Sequence, residues 1–306
     1  MKREYTQQTW NVNVQNDLVR LARLAIEEDS LPQPDLTSIA FIAPDAQGKA
    51  KVVARQAGVL AGAAGVPAIL RLYDPSLVWT AFLDDGQPLE KGTCVGEISG
   101  HVIALLGVER IVLNLLGHLC GIASLTRQFV DRVAGTNAKI YDTRKTTLGW
   151  RRLEKYAVHC GGGTNHRMGL YDHILIKDNH LAFAATEGIT PAEAVRRAKE
   201  FLIACSPDGD GPLRPIVEIE VDTLDQLAQV LPTSPDIVLL DNMEPQQLKK
   251  AVAMRNESGV TTELEASGGV QLDTVYDIAC SGVERISSGA LTHSARTLDL
   301  GLDWAR

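Results

Sequence analysis

The chain has 306 residues, 45% of them apolar and 22% charged, which is the balance of a globular protein able to bury a sizeable core. A formal charge of −8 argues against a nucleic-acid partner, because binding a phosphate backbone calls for a basic face. No membrane partner is expected either, since the longest apolar run, Val59 to Leu70, contains Gly62, Gly65 and Pro67 and falls short of the about 20 residues a membrane helix needs.

The start, Met1-Lys2-Arg3-Glu4-Tyr5, leads into polar residues rather than the apolar core of a secretory signal. Residues 12 to 29 place Leu18, Leu21, Ala22 and Ala25 at helical spacing, and Leu31-Pro32-Gln33-Pro34 breaks the pattern. From Lys49 to Gly100 the residues alternate and carry many β-branched side chains, as in Lys51-Val52-Val53-Ala54 and Ile69-Leu70-Arg71-Leu72, which predicts a mostly β lobe. Val102 to Val133 reads as a long helix interrupted by Gly107, Gly117 and Gly121 and linking two lobes.

Beyond it, short apolar segments end in polar or glycine-rich corners and helical spacers follow. The segments are Lys139-Ile140-Tyr141, Ile174-Leu175-Ile176, Ile216 to Glu220, Ile237 to Leu240, Glu263 to Ala266 and Val283 to Ile286. Strands alternating with helices imply parallel βα units, and these close naturally into a barrel of six or seven strands. In such barrels the functional residues gather at the C-terminal strand ends, where this sequence puts its Lys, Arg, Asp and Gly. Leu298 to Asp303 reads as an extra strand returning to the N-terminal lobe.

The cysteines (Cys94, Cys120, Cys160, Cys205, Cys280) are odd in number and form no Cys-x-x-Cys pair, so neither a disulfide framework nor a zinc site is expected, and a reduced, cytoplasmic setting is. Cations concentrate between Asp142 and His180. Arg offers a planar fork to carboxylate or phosphate and Lys a mobile point charge, so the mixture suits a ligand bearing both kinds of anion. Arg144, Lys145 and Lys177, at strand ends, read as ligand-facing, whereas Arg151, Arg152 and Lys155, at helical spacing, read as a solvated helix face. Gly161-Gly162-Gly163 ahead of Asn165-His166-Arg167 points either to backbone open mainly to glycine or to close approach of a ligand, with a tight structural turn as the alternative.

Glu220 and Asp241 end successive strands and suit a hard cation such as Mg²⁺, held through carboxylates and substrate phosphates. A glycosidase acid and nucleophile would look similar, but would not need the surrounding cations. Glu218 and Asp222 compete with Glu220 for that role, Glu218 because it shares a strand face with it. Ser267-Gly268-Gly269 and Ser288-Gly289-Ala290 end the last two strands ahead of helical segments, the arrangement that binds phosphate through backbone N–H groups.

The blocks Lys51-Val52-Val53-Ala54, Gly58 to Gly62, Glu109 to Asn114, Asp142 to Thr147, Leu153 to Val158, Gly161 to Arg167, Leu175 to His180 and Leu239 to Asn242 resemble the quinolinate phosphoribosyltransferases over most of the chain. Leu148 stands where that family usually has proline, and Cys120 where serine is common. The resemblance implies transfer of phosphoribosyl from phosphoribosyl pyrophosphate to quinolinate with loss of carbon dioxide, giving nicotinate mononucleotide on the route to NAD. It implies an α/β fold with an N-terminal α/β sandwich lobe over 1–117, with 291–306 as a candidate addition, and an incomplete β/α barrel over 118–290. It further implies a homodimer with shared active sites, in which Arg110 is donated across the interface. Arg144, His166 and Arg167 then resemble the carboxylate binders, and Lys145 and Lys177 lie near the anionic groups of both substrates. Glu220 and Asp241 resemble the residues handling the ribose hydroxyls and Mg²⁺, and Ser267, Gly268, Gly269, Ser288, Gly289 and His293 the phosphate cradle.

Overall fold

The computed structural model describes residues 4–30, 35–205 and 215–304, so the expected break at 31–34 lies outside the described residues. In chain order its first elements are α1 (Val12–Ser30), α2 (Leu36–Phe41), β1 (Gln47–Ala54), β2 (Gly58–Val59), α3 (Val66–Tyr73), β3 (Val78–Ala81), β4 (Pro88–Leu89), β5 (Cys94–His101) and α4 (Val102–Arg132). Then come β6 (Lys139–Tyr141), α5 (Arg151–Cys160), β7 (Ile174–Ile176), α6 (Asp178–Ala185), α7 (Pro191–Cys205), β8 (Val217–Val221), α8 (Leu224–Val230) and β9 (Ile237–Asp241). The last are α9 (Pro245–Ser258), β10 (Glu263–Ser267), α10 (Val275–Ala279), β11 (Arg285–Ser287), α11 (Ala290–His293) and β12 (Leu300–Trp304).

The chain divides into two compact units, one formed by Gln7–Gln128, Lys145–Gly163 and Leu291–Arg306, the other by Met1–Thr6, Phe129–Arg144 and Thr164–Ala290. In the first unit an antiparallel sheet has the order β12-β1-β5-β3. The C-terminal tail pairs with β1 from Ala50↔Trp304 to Ala54↔Leu300. Asn11 starts α1 by accepting the N–H groups of Asn13 and Val14, and Val14, Leu18 and Ala22, four apart, are buried.

The segment Ile69 to Leu72, expected as strand, is instead part of α3. Pro67 sits at the helix start, where its missing N–H costs nothing, and Val66, Ile69 and Leu70 bury one face at helical spacing. α4 is continuous through its glycines, which are there for close packing: a Cβ on Gly107 would lie 2.0 Å from Tyr73 Oη, and one on Gly121 2.2 Å from the Arg296 carbonyl. Against the expectation from unbroken apolar runs, α4 is long and apolar enough to cross a bilayer. Leu105, Leu116, Leu119 and Ile122 are, however, buried within the protein, as in a core helix.

The second unit holds six parallel strands in the order β6-β11-β10-β9-β8-β7. Sequential strands lie side by side and β11 returns next to β6, leaving β6 and β7 as the two edges of an incomplete β/α barrel. A seventh strand does not form among the described residues. In its place Thr164 makes one parallel bridge at the free edge of β6, its N–H donating to Ile140 O at 2.8 Å and its carbonyl accepting from Asp142 N–H at 3.1 Å.

The two faces of this sheet have opposite chemistry. Ile140, Ile176, Val217, Ile219, Val221, Val238, Leu240, Leu264 and Ile286 form one face and are buried and apolar. The registered pairs Leu175↔Glu218, Glu220↔Leu239, Glu265↔Leu239, Glu265↔Arg285, Ser267↔Asp241 and Ser287↔Tyr141 put most of the sheet's polar groups on the other. Parallel strands buried on both faces usually read as continuous apolar runs, so charges at alternate positions mark an inner face with a task.

Candidate active site

At the C-terminal strand ends, Lys177 directly follows β7 and its Nζ donates to Glu220 Oε2 of β8 at 2.5 Å. The Lys177 N–H donates to His180 Nδ1 at 2.9 Å, which fixes the corner as α6 begins. Asp241 closes β9, and its Oδ2 accepts from Asn242 Nδ2 at 2.6 Å. Glu220 and Asp241 share the inner face of adjacent strands and present hard oxygen donors, the donor type that Mg²⁺ takes in small number beside substrate phosphates. Glu218 lies deeper on the same face, and Asp222 is exposed past the end of β8.

Ser267 closes β10, and its carbonyl accepts the Asn242 N–H at 2.8 Å, tying the ends of β9 and β10 together. Gly268 has φ 89° and Gly269 φ 60°, and a Cβ on Gly268 would stand 2.2 Å from Asn242 Oδ1. This corner therefore requires glycine. The helix expected directly after it begins only at Val275, and α11 after β11 is a single turn, so the N–H groups available here belong to loop backbone rather than to helix starts. Ser288 is buried; its N–H donates to Tyr141 O at 3.0 Å, its Oγ donates to Val270 O at 3.1 Å and accepts from Ala290 N–H at 3.3 Å. Its hydroxyl holds loops together, and Gly289 follows it at the rim.

Asp142, fully buried, braces the segment at the open edge of the barrel. Its Oδ2 accepts from Asn165 Nδ2 at 2.7 Å and its Oδ1 from His166 N–H at 2.8 Å. Arg167 follows, with Nη1 donating to His173 O at 3.3 Å. Burial, and then the neighbouring charge of Arg144, pull the Arg167 guanidinium below its usual range. Two mutually repelling guanidiniums in a partly desolvated place favour the arrival of an anion, and their forks match carboxylate geometry.

His166 lies beneath, with Nε2 at 3.3 Å from Glu218 Oε2 and 3.4 Å from Glu265 Oε1. These three are also a group with metal-capable atoms within 4.8 Å of one another, all buried. Burial pulls the imidazole toward its neutral form, while the two carboxylates raise its hold on the proton that faces them. Nδ1 accepts the Arg167 N–H at 2.8 Å, so the proton that the carboxylates attract sits on Nε2. Tyr5 stacks on His166 with centroids 4.4 Å apart and donates to Glu218 Oε2 at 2.6 Å. Arg285, 1% exposed, donates from Nε to Glu263 Oε2 at 2.6 Å, pairs with Glu4 at 3.3 Å and lies over the Tyr141 ring at 4.8 Å. Glu4 also accepts from Tyr141 Oη at 2.9 Å and from Lys139 Nζ at 3.0 Å.

The remaining expected site residues belong to the other unit. Arg110 is exposed on α4, His293 is exposed at the end of α11, and Lys145 is exposed with its carbonyl accepting from Thr292 Oγ1 at 2.6 Å. The basic residues of α5 do not form a solvated face. Lys155 is fully buried, Arg152 pairs with Asp17, Arg151 Nε donates to Thr146 Oγ1 at 3.0 Å, and no residue of α5 is exposed. In the glycine run at 161–163, Gly162 has φ 87°, the backbone open mainly to glycine that was expected, while its neighbours are there for packing: a Cβ on Gly161 would meet Ala123 O at 2.4 Å, and one on Gly163 would meet Thr126 Cγ2 at 2.6 Å, a close approach to α4.

This pattern of strand-end cations, carboxylates and glycine corners coincides with a family match along nearly the whole chain. Residues 35–120 match the N-terminal domain and residues 122–303 the C-terminal domain of quinolinate phosphoribosyl transferase. The chain belongs to the quinolinate phosphoribosyltransferase family. It is 40% identical over 286 residues to the carboxylating nicotinate-nucleotide pyrophosphorylase of Mycobacterium leprae, covering 92% of this chain and 95% of that one. It is 37% identical to a mitochondrial decarboxylating quinolinate phosphoribosyltransferase of Nicotiana tabacum, covering 94% and 82%. The nicotinate-nucleotide pyrophosphorylase structure of Francisella tularensis superposes with a TM-score of 0.86 at 32% identity, covering 99% of this chain and 100% of that one.

For this quinolinate phosphoribosyltransferase, the second unit brings together Arg144, His166, Arg167, Lys177, Glu220, Asp241, Ser267, Gly268, Gly269, Ser288 and Gly289 along one inner face and its C-terminal rim. Sequence reasoning did not single out Tyr5, Asp142, Glu265 or Arg285. The available signal was the charge at alternate positions of Glu263-Leu264-Glu265, in a strand otherwise read as core.

Proposed function

We infer that the chain carries out its family's reaction: it transfers phosphoribosyl from phosphoribosyl pyrophosphate to quinolinate and releases pyrophosphate and carbon dioxide, forming nicotinate mononucleotide. The observation that carries the site assignment is the Lys177–Glu220 contact on the charged inner face, in the same unit as the mutually repelling Arg144 and Arg167. Arg144 and Arg167 hold the two carboxylates of quinolinate, with His166 and Asp142 keeping Arg167 in place. Lys145 and Lys177 attract the anionic groups of both substrates. Glu220 and Asp241 accept hydrogen bonds from ribose hydroxyls, and Ser267 to Gly269, Ser288, Gly289 and His293 hold the phosphate.

The pyridine nitrogen lone pair forms the bond to ribose C1 while the bond from C1 to pyrophosphate breaks, its electron pair leaving with pyrophosphate. Positioning and preorganised charge lower this barrier. The quaternary ring nitrogen then accepts the charge left when the C2–carboxylate bond breaks; carbon dioxide departs and C2 takes a proton from solvent. No covalent bond to the protein forms. Glu220 and Asp241 would hold Mg²⁺ in the same proposal, and the ion would supply charge neutralisation for the leaving pyrophosphate.

We also propose a homodimer in which Arg110, exposed on α4, completes the partner's site. Mixing Arg110→Ala with Lys177→Ala subunits tests this. Recovered activity supports sharing, and no recovery under confirmed subunit exchange contradicts it. A cytoplasmic location fits cysteines that are all free thiols. The reaction itself is tested by supplying quinolinate or nicotinate with phosphoribosyl pyrophosphate and Mg²⁺. Mononucleotide formed from quinolinate alone supports the assignment, and formation from nicotinate alone replaces it with a different acceptor.

A further inference from the structure

We propose that Tyr5, near the start of the chain, is a positioning residue for the dicarboxylate substrate, holding the His166 and Glu218 side chains in the one arrangement that aims Arg167. The inference rests on the site reading above. Tyr5 is 3% exposed and lies 161 positions from His166 in sequence, yet its ring covers the imidazole at 4.4 Å and meets His173 edge-on at 4.9 Å. Its hydroxyl donates to Glu218 Oε2 at 2.6 Å, the same oxygen that faces His166 Nε2 at 3.3 Å.

The opposite side of the imidazole is fixed by Arg167, whose backbone N–H donates to Nδ1 at 2.8 Å. Tyr5, Glu218, His166 and the Arg167 backbone are therefore one continuous chain of contacts from the N-terminal segment to a guanidinium at the site. The segment is itself anchored, because Glu4 takes hydrogen bonds from Tyr141 and Lys139 and pairs with Arg285.

Among the described residues no donor reaches hydrogen-bonding geometry with Glu218 Oε1 or with either Glu265 oxygen, all of them buried. Buried carboxylates so short of donors are held by few contacts, and each contact removed costs more than it would on a surface. Removing the Tyr5 hydroxyl takes one donor from Glu218; removing the ring also frees the imidazole to rotate. An imidazole free to rotate no longer holds the Arg167 backbone. The effect falls on the substrate that Arg167 holds, because this chain of contacts ends at Arg167, whereas Ser267 to Gly269, the proposed phosphate corner, closes a different strand end and is tied there to Asn242.

The test is steady-state kinetics of the full-length Tyr5→Leu and Tyr5→Phe proteins beside Arg167→Ala and the parent. For Tyr5→Leu we expect KM for quinolinate to rise roughly tenfold while KM for phosphoribosyl pyrophosphate stays within about twofold. Tyr5→Phe, which keeps the ring, should lie between Tyr5→Leu and the parent, and it serves as the readout should Tyr5→Leu not fold. A purely structural role would lower Tm and the yield of active protein but move both KM values together or not at all, and that result overturns the proposal. If Arg167→Ala raises KM for quinolinate and neither Tyr5 variant does, Tyr5 is not a positioning residue. If Arg167→Ala leaves that KM unchanged, the site reading falls and takes the Tyr5 inference with it.

Discussion

The inner face of the parallel sheet has two levels that use the same residue types in opposite ways. Deep on the face, Glu218, Glu263, Glu265, His166 and Arg285 are buried, and their charges face one another. At the C-terminal rim, Arg144, Lys177 and Asp241 remain partly accessible, and the Lys177–Glu220 pair is open to solvent on its lysine side, with 42% of that side chain exposed. Deep charges are enclosed by one another and serve to hold shape, whereas rim charges keep a side open to solvent, where a ligand can reach them. Charge alone therefore does not mark a catalytic residue; charge with room for a partner does.

Breaking the deep level should have the largest effect on stability. Arg285→Met leaves Glu263, Glu265 and Glu4 short of a cation, and a loss of about 3–5 kcal/mol is expected in chemical denaturation, with KM values little changed in the fraction that folds. Breaking the rim should do the reverse. Lys177→Met should lower kcat about 10²–10³-fold while the thermal midpoint stays near that of the parent.

The glycine corners sharpen the contrast between ligand-facing and packing positions. Gly268→Ala combines φ 89° with a Cβ 2.2 Å from Asn242 Oδ1, so it should raise KM for phosphoribosyl pyrophosphate more than KM for quinolinate. Gly163→Ala, crowded against Thr126 and Val158, should lower the thermal midpoint and leave both KM values unchanged.

The smallest effect is a pH dependence. Burial alone would raise the Glu218 carboxyl, but His166, Tyr5 and Arg285 outweigh it and lower it from the ordinary 4.5. A lowered carboxyl stabilises the fold fully above 4.5, and that contribution fades as pH falls through the folded-state value. Glu218→Gln should therefore melt below the parent at pH 7, and the gap between the two melting curves should narrow as pH falls beneath 4.5.

Much of the rim was legible in the sequence because strand ends announce themselves: an apolar run stops, and Lys177, Asp241 or Ser267-Gly268-Gly269 follows. The deep level was not, because its partners come from remote segments. Tyr5 and Glu218 are 213 positions apart, and no local period links them. Local pattern also misread α3, where four residues alternate as a strand would, because the helical face appears only when Val66 is counted with Ile69 and Leu70. For α5 the error was of environment: the spacing was helical as expected, but a helix with no exposed residue needs its charges paired, as the Arg152–Asp17 and His118–Glu154 contacts do. Likewise Gly161, Gly163 and Gly268 look alike as letters, and only their backbone and neighbours separate packing from a shaped loop.

The most direct measurement follows the 2-carboxylate itself. With quinolinate labelled at that carbon, the account expects labelled carbon dioxide only when phosphoribosyl pyrophosphate and Mg²⁺ are both present, in step with mononucleotide formation. Label released without phosphoribosyl pyrophosphate, or none released by folded protein with all components, would contradict it.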